Sequence, residues 1–117
     1  MTGLELRAAC LRLAGAREEL PFRDQSITVF KVGGKVFAIA RLAHDPMRLS
    51  LKCEPEVAAH LRATYPAILP GYRLNKRHWN TVLLDGSLAD RMVCEMIEVS
   101  HGLIVASLSR AQRAALE

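Results

Sequence analysis

The sequence predicts an α+β fold, a two-layer sandwich in which an antiparallel sheet of about four or more strands packs on helices. Three observations predict it. Two β-rich runs are joined by Gly33-Gly34, a third run alternates apolar and polar residues strictly, and amphipathic segments flank them. Strands joined by tight turns pair antiparallel, and helices outside the run of strands must bury their apolar sides on a sheet face.

Thr2 and Glu5 are spaced so that each side chain can cap the other's backbone N–H at a helix start. Leu4, Ala8, Leu11 and Ala14 recur at helical spacing, with Arg7 and Arg12 off that stripe. A helix from about Gly3 to Ala14 follows, with Gly15 as its stop. Arg17 to Gln25 is polar, contains Pro21 and reads as a connection. Ile27 to Val32 and Lys35 to Arg41 form a hairpin, because Gly33-Gly34 tolerates positive φ at both central turn positions. After a turn at His44-Asp45-Pro46, Met47, Leu49 and Leu51 point one way and Arg48, Ser50 and Lys52 the other. That strand has one buried side and one wet, positively charged side, and it completes a three-stranded meander.

Glu54-Pro55-Glu56 opens a second helix, since proline suits the first turn and acids favour the positive helix end. Val57, Leu61 and Tyr65 keep one face apolar, and Pro66 stops it. Pro66 to His78 reads as a loop of about a dozen residues, a length that tends to be functional or mobile. Trp79 to Leu84 is a further strand, turned by Asp85-Gly86. Ser87 and Asp90 repeat the capping arrangement for a third helix with the apolar stripe Leu88, Met92, Met96, Val99 and Leu103. Ser109 caps a short final helix through Ala115.

With 117 residues the chain supports one core, so a single domain over residues 1–117 is expected. A composition 50% hydrophobic and 24% charged is that of a globular chain. No apolar run approaches the roughly 18–20 residues that span a bilayer. The first helix carries Glu5, Arg7 and Arg12 where a secretory signal has an apolar centre, so a cytoplasmic location and no membrane partner are expected. Cys10, Cys53 and Cys94 are odd in number and show no CxxC or Cys/His pair at metal spacing. Buried, reduced thiols are expected, with no metal and no other cofactor. His44, His60, His78 and His101 lie in separate segments, and no GxSxG, HExxH, P-loop or dinucleotide fingerprint is present. No enzyme is expected.

Charge is more telling in its distribution than in its total. The chain nets +4, and the stretch from Leu61 to Leu84 carries Arg62, Arg73, Lys76 and Arg77 without a single Asp or Glu. Within it, Gly71 to Asn80 packs Arg73, Asn75, Lys76, Arg77, His78 and Asn80 beside Tyr72 and Trp79. Arg and Lys suit phosphate oxygens, Asn suits base edges or backbone groups, and aromatic rings suit stacking.

Three blocks carry a family resemblance: Pro21-Phe22 with Val29–Ala38, Ser50–Pro55, and Tyr65–Gly86. On these the chain resembles the YjbR/MmcQ family from about Leu13 to Leu108. The resemblance implies a compact αβ domain likened to the frataxin fold, DNA binding, and a double-wing arrangement of loops. It would make the Gly33-Gly34 hairpin, flanked by Lys31 and Lys35, one wing and the loop before Trp79 another. Iron handling is not expected, because the first helix offers only Glu5 where a hard cation needs a run of carboxylates.

The candidate nucleic-acid contacts are therefore Arg73, Asn75, Lys76, Arg77 and His78 in the loop, Lys31 and Lys35 at the hairpin, and Arg48 and Lys52 on the strand, with Arg41 as a neighbour. Each has an ordinary structural use as well: solvated surface cations, Asn side chains that satisfy loop backbone, and Trp79 as a core anchor holding the loop against a helix. A protein-interaction or adaptor domain is the alternative function. The state expected in solution is a monomer or weak dimer, with nucleic acid, most simply DNA, as partner.

Overall fold

Capping chemistry, glycine turns and alternation place the elements. The chain runs α1 (Gly3–Leu11), β1 (Arg17–Glu19), β2 (Ile27–Val32), β3 (Lys35–Arg41), β4 (Met47–Lys52), α2 (Pro55–Thr64), β5 (Ile68–Pro70), β6 (Trp79–Leu84), α3 (Asp90–Ser107) and α4 (Arg110–Ala114). The structure, a computed structural model, describes every residue except Phe22, Asp24, Gln25 and Glu117. Phe22 of the Pro21-Phe22 block, and Asp24 and Gln25 of the connection read before β2, thus lie outside the described residues.

At the start of α1 the Thr2 hydroxyl accepts from the Glu5 N–H at 3.1 Å, and Glu5 accepts from the Thr2 N–H at 2.9 Å. These bonds, the backbone one foremost, hold the Glu5 carboxyl below its usual range. Ser109 and Gln112 cap α4 in the same reciprocal way. At the hairpin, Gly33 and Gly34 take φ of 58° and 81°, the left-handed values that glycine alone adopts freely. β2, β3 and β4 have the bounds their sequence pattern predicts.

Two edge strands depart from expectation. β1 lies inside the segment read as a connection and pairs with β2 from Arg17↔Lys31 to Glu19↔Val29. β5 lies inside the loop read after Pro66 and pairs with β6 from Ile68↔Val82 to Pro70↔Asn80. Both are three residues long and end or begin in residues that disguise a strand. The result is a six-stranded sheet in the order β1-β2-β3-β4-β6-β5, antiparallel throughout.

The helices lie on one face of this sheet. Leu6, Ala9 and Cys10 of α1 and Val93, Ile97 and Ile104 of α3 join Phe30, Val32, Phe37, Ala38, Ala40, Leu49 and Leu51 in one buried cluster. Burying each Leu, Ile, Val or Phe of this cluster contributes about 1.5–3 kcal/mol. The Ser100 hydroxyl at the middle of α3 donates to the Phe37 carbonyl at 2.6 Å and accepts from the Lys52 N–H at 2.8 Å, fixing the helix across β3 and β4. α2 covers the far end, where Asn80 Nδ2 donates to the Ala58 carbonyl at 3.3 Å.

The helix faces are rotated from the predicted stripes. α1 buries Leu6, Ala9 and Cys10, while Leu4 is 75% exposed. α3 buries Val93, Ile97, Ser100 and Ile104, leaving Val99 52% exposed, and α2 buries Ala58 with Val57 47% exposed. Small residues let the helices approach the sheet closely, so Ala, Cys and Ser hold contact positions that larger side chains would crowd. The Ser87–Asp90 cap is not formed either: Ala89 is the N-cap of α3, and Ser87 bonds Asp85 instead. Cys10 and Cys53 are buried and all three thiols are free, and burial pushes the Cys10 thiol up to about 12. Among the described residues no helix is long and apolar enough to cross a membrane.

Candidate functional site

Over β3, β4 and β6 the other face of the sheet carries no helix among the described residues, whereas at the β1 edge Arg17, Glu19 and Lys31 line a hollow with Gln112, Ala115 and Leu116. The strand registers say what the face presents. Arg41 of β3 stands opposite Arg48 of β4, which stands opposite Leu83 of β6. Ile39, Ser50 and Thr81 form the next row, and Lys52 pairs with Trp79 in the row beyond. At the β1 edge, Arg17, Glu19 and Lys31 share this face.

The middle row is dry. Ser50 and Thr81 are buried, and their hydroxyls bond each other at 2.8 Å. The expectation of a wet β4 side holds at the half-exposed Lys52 but fails at Ser50, because the segment after β5 folds back over it, and in part at Arg48, whose Nε is enclosed. The Tyr72 N–H donates to Thr81 Oγ1 at 2.9 Å, and the Gly71 N–H donates to the Trp79 carbonyl at 2.9 Å. Gly71 is required there: a Cβ would sit 2.7 Å from Trp79 Cβ and 2.8 Å from its carbonyl oxygen. Trp79 is half-buried, its register puts it in line with Thr81 on this side of the sheet, and Gly71 packs directly against it.

The fold-back brings cations together. The Arg41 guanidinium lies 4.9 Å from the centre of the Tyr72 ring and that of Arg73 lies 5.1 Å from it. Arg73 takes a φ of 57°, left-handed backbone that few non-glycine residues adopt. Arg48 is half-buried beneath this cluster's row, and its Nε is enclosed with no hydrogen-bond partner among the described residues. Arg17, Lys31, Arg41, Arg48, Lys52 and Arg73 thus meet one described carboxylate, Glu19, which pairs with Lys31 at 2.7 Å. None of Arg41, Arg48, Lys52 and Arg73 is ion-paired among the described residues, in a chain that holds 12 Asp and Glu.

The remaining candidates divide by what they already hold. Asn75 closes the loop: its Oδ1 accepts from the Arg77 N–H and its carbonyl from the Trp79 N–H, both at 2.9 Å. Lys76 donates to the Gly71 carbonyl at 3.2 Å, and its own carbonyl accepts from Arg62 at 3.0 Å. Arg62 also donates to Asn80 Oδ1 at 2.8 Å, so the loop is tied to α2. The His78 carbonyl accepts from the Cys53 N–H at 2.8 Å. Arg77 is exposed and unpaired among the described residues. At the hairpin, Lys35 reaches the Ser107 carbonyl and hydroxyl at 3.4 and 3.3 Å, and a Cβ on Gly33 would sit 2.6 Å from Leu108. The hairpin end is therefore docked on the C-terminal end of α3.

Arg17 reaches the face only because β1 exists, and the polar run that forms β1 gave no alternation to find it by. No group of three or more His, Cys, Asp or Glu that could hold a metal occurs among the described residues. On the helix side, Val57 and Leu61 of α2 face Met92, Met96 and Val99 of α3 across an apolar groove of about 230 Å³, floored by Leu51 and Val82.

Comparison with known proteins gives one consistent group. The YjbR family model matches residues 11–103. The YjbR protein of Escherichia coli is 34% identical over 113 residues, 97% of this chain and 95% of its own length. A crystal structure of a Deinococcus radiodurans protein with a DUF419 family-model domain is 39% identical, covering 98% of this chain and 87% of that one, with a TM-score of 0.91. A crystal structure from Pseudomonas syringae is 27% identical over 88% of this chain and 98% of its own, with a TM-score of 0.76.

Proposed function

We propose that this chain, which belongs to the YjbR family, binds nucleic acid by its phosphates through the helix-free face of the sheet. One observation carries the proposal: Arg41 and Arg48 are direct cross-strand neighbours with no carboxylate paired to either among the described residues. Like charges directly opposite each other destabilise a sheet. A fold that keeps two guanidinium groups so placed, and adds Arg73 beside them, retains a local cost that a polyanion relieves. DNA binding is also what the family resemblance implies.

Arginine suits the role because its planar donors match phosphate oxygens and it stays charged at any physiological pH. Half-burial of Arg48 strengthens its field, since water screens it less than a free surface charge. Lys52 extends the positive surface, while Asn75 and Lys76 maintain the loop that carries Tyr72 and Arg73.

The test is binding of DNA oligonucleotides against salt. If about four phosphates are neutralised, log K falls against log salt with a slope of roughly −3 to −4. The pair Arg41→Ala and Arg48→Ala should weaken binding and flatten that slope by about 2. Absence of binding at low salt to any oligonucleotide overturns the proposal.

The groove between α2 and α3 favours a second reading, contact with an apolar segment of a partner protein. It is independent of the cationic face, and Val57→Lys, which should block it, tests it without touching the arginines.

A further inference from the structure

Resting on that reading, we infer that the nucleic acid is single-stranded, with its bases against Tyr72 and Trp79 and its phosphates on Arg41, Arg48, Lys52 and Arg73. The argument begins with what the face lacks. Duplex readers insert a helix or a two-stranded ribbon into a groove about 12 Å wide. Here the helices lie on the opposite face, packed into the core cluster. The β2–β3 hairpin, the one ribbon with lysines at its end, is docked on Leu108, and its Lys31 and Lys35 are engaged by Glu19 and Ser107. The segment after β5 lies back on the sheet through Tyr72 and Gly71. Neither a helix nor a free two-stranded ribbon is therefore offered to a groove by β3, β4 or β6 on this face among the described residues.

What the face does present suits unpaired bases. Trp79 is the cross-strand partner of Lys52 in the strand register, and the Tyr72 ring lies within reach of two guanidinium groups, so both aromatic residues have cationic residues as neighbours. Aromatic rings and Arg planes take the faces of bases, which a duplex keeps stacked inside and a single strand leaves open. A cationic surface interleaved with aromatics therefore gains from a single strand two kinds of contact, and from a duplex only one. The β1 edge adds Arg17, which would continue the phosphate track beyond Lys31.

The chain contains one tryptophan, so its fluorescence reports contact at Trp79 directly. The probes are a thymidine oligonucleotide of about a dozen nucleotides and its duplex with adenosine, titrated at matched salt. The single strand should bind at least about tenfold more tightly than the duplex and should quench the Trp79 emission. Trp79→Leu and Tyr72→Leu should each cost the single strand about tenfold more than they cost the duplex, which loses only what the displaced Arg41 and Arg73 contribute, while Trp79→Phe, which keeps a ring, should retain most of the binding. Circular dichroism of each variant separates lost contact from lost fold. Equal or tighter binding of the duplex, or single-strand binding with unaltered emission, overturns this inference and leaves the phosphate reading standing. Binding of neither probe overturns the phosphate reading itself.

Discussion

On one face the sheet gives Phe30, Ala38, Ala40, Leu49 and Leu51 to α1 and α3, and on the other the same strands give Arg41, Arg48, Ser50 and Lys52 to no helix among the described residues. The alternation of β4 is thus carried through to two different ends. The first face supplies the burial that folds the chain. The second is covered, among the described residues, by a hydroxyl pair and a folded-back tyrosine, and retains charges that no carboxylate neutralises at Arg41, Arg48, Lys52 and Arg73. A surface that a protein keeps unneutralised at some local cost is better placed to meet a ligand than one satisfied within the fold. If that division is correct, stability and polyanion binding should be separable by the face on which a substitution falls.

The largest test removes a ring from the covered face. Phe37 is fully buried, lies 5.1 Å edge-on from the His101 ring, and has its carbonyl held by Ser100. Phe37→Ala should cost about 3–5 kcal/mol in urea unfolding, against roughly 0.5 kcal/mol or less for Arg73→Ala or Lys52→Ala. Comparable losses from the two sets would break the comparison.

The next test asks to which side the hairpin belongs. Gly33 and Gly34 both have positive φ, but a Cβ on Gly33 would meet Leu108 whereas one on Gly34 would meet nothing within 4 Å. Gly34→Ala should cost about 1–2 kcal/mol through backbone strain alone, and Gly33→Ala more, about 2–4 kcal/mol, through strain and overpacking together. Equal costs would mean that the hairpin end is not docked, and would restore it as a candidate wing.

Thr81 joins the two roles, since its hydroxyl is buried with Ser50 and accepts the Tyr72 N–H. Thr81→Val leaves the Tyr72 N–H without its acceptor and the buried Ser50 hydroxyl without its partner, and should cost about 1–2 kcal/mol. Because it frees the segment bearing Tyr72 and Arg73, it should also weaken oligonucleotide binding, unlike Phe37→Ala measured under conditions where that variant is folded.

Much of this division was legible in the sequence, and the limits are physical. The hairpin and β4 were read with their observed bounds because Gly33-Gly34 and strict alternation are local signals that tertiary context reinforces. Arg48 and Lys52 were placed on the side away from the core for the same reason. β1 and β5 were missed because a three-residue edge strand is too short to show a period, and Arg17–Glu19 carries only charged side chains. The helix stripes were read from Leu, Met and Val, but Leu6, Val93, Ile97 and Ile104 are as apolar, so hydropathy offered two faces, and close packing selects the one that brings Ala9, Cys10 and Ser100 to contact. The stripe residues Val57, Leu61, Met92, Met96 and Val99 were left to line the groove. Convergence of Arg41 and Arg73 on Tyr72 was beyond any pattern, because it depends on a segment folding back from β5 to β3.

The covered face also has a pH signature. Burial raises the Cys10 thiol from 9.0 to about 12, so between those values the folded chain keeps a proton that the unfolded chain releases. A raised pKa stabilises below the unfolded value, and that contribution is lost as pH rises toward about 12. Cys10→Ala should therefore flatten the alkaline fall of stability relative to the parent chain, measured as urea midpoints across that window. An unchanged slope would place the Cys10 thiol in contact with water.

The smallest expected effect is the sharpest control. Val57 and Val99 stand on α2 and α3 across the groove, each about half exposed, on the opposite side of the sheet from Arg41 and Arg48. Val57→Ser with Val99→Ser removes apolar surface that already touches water, so unfolding should shift by no more than about 0.5 kcal/mol. Oligonucleotide affinity and its salt slope should not move, because neither residue lies within the cationic rows. A fall in affinity as large as that from Arg41→Ala with Arg48→Ala would mean that the ligand enters from the helix side. The unpaired arginines would then be a feature of the sheet without being its binding surface.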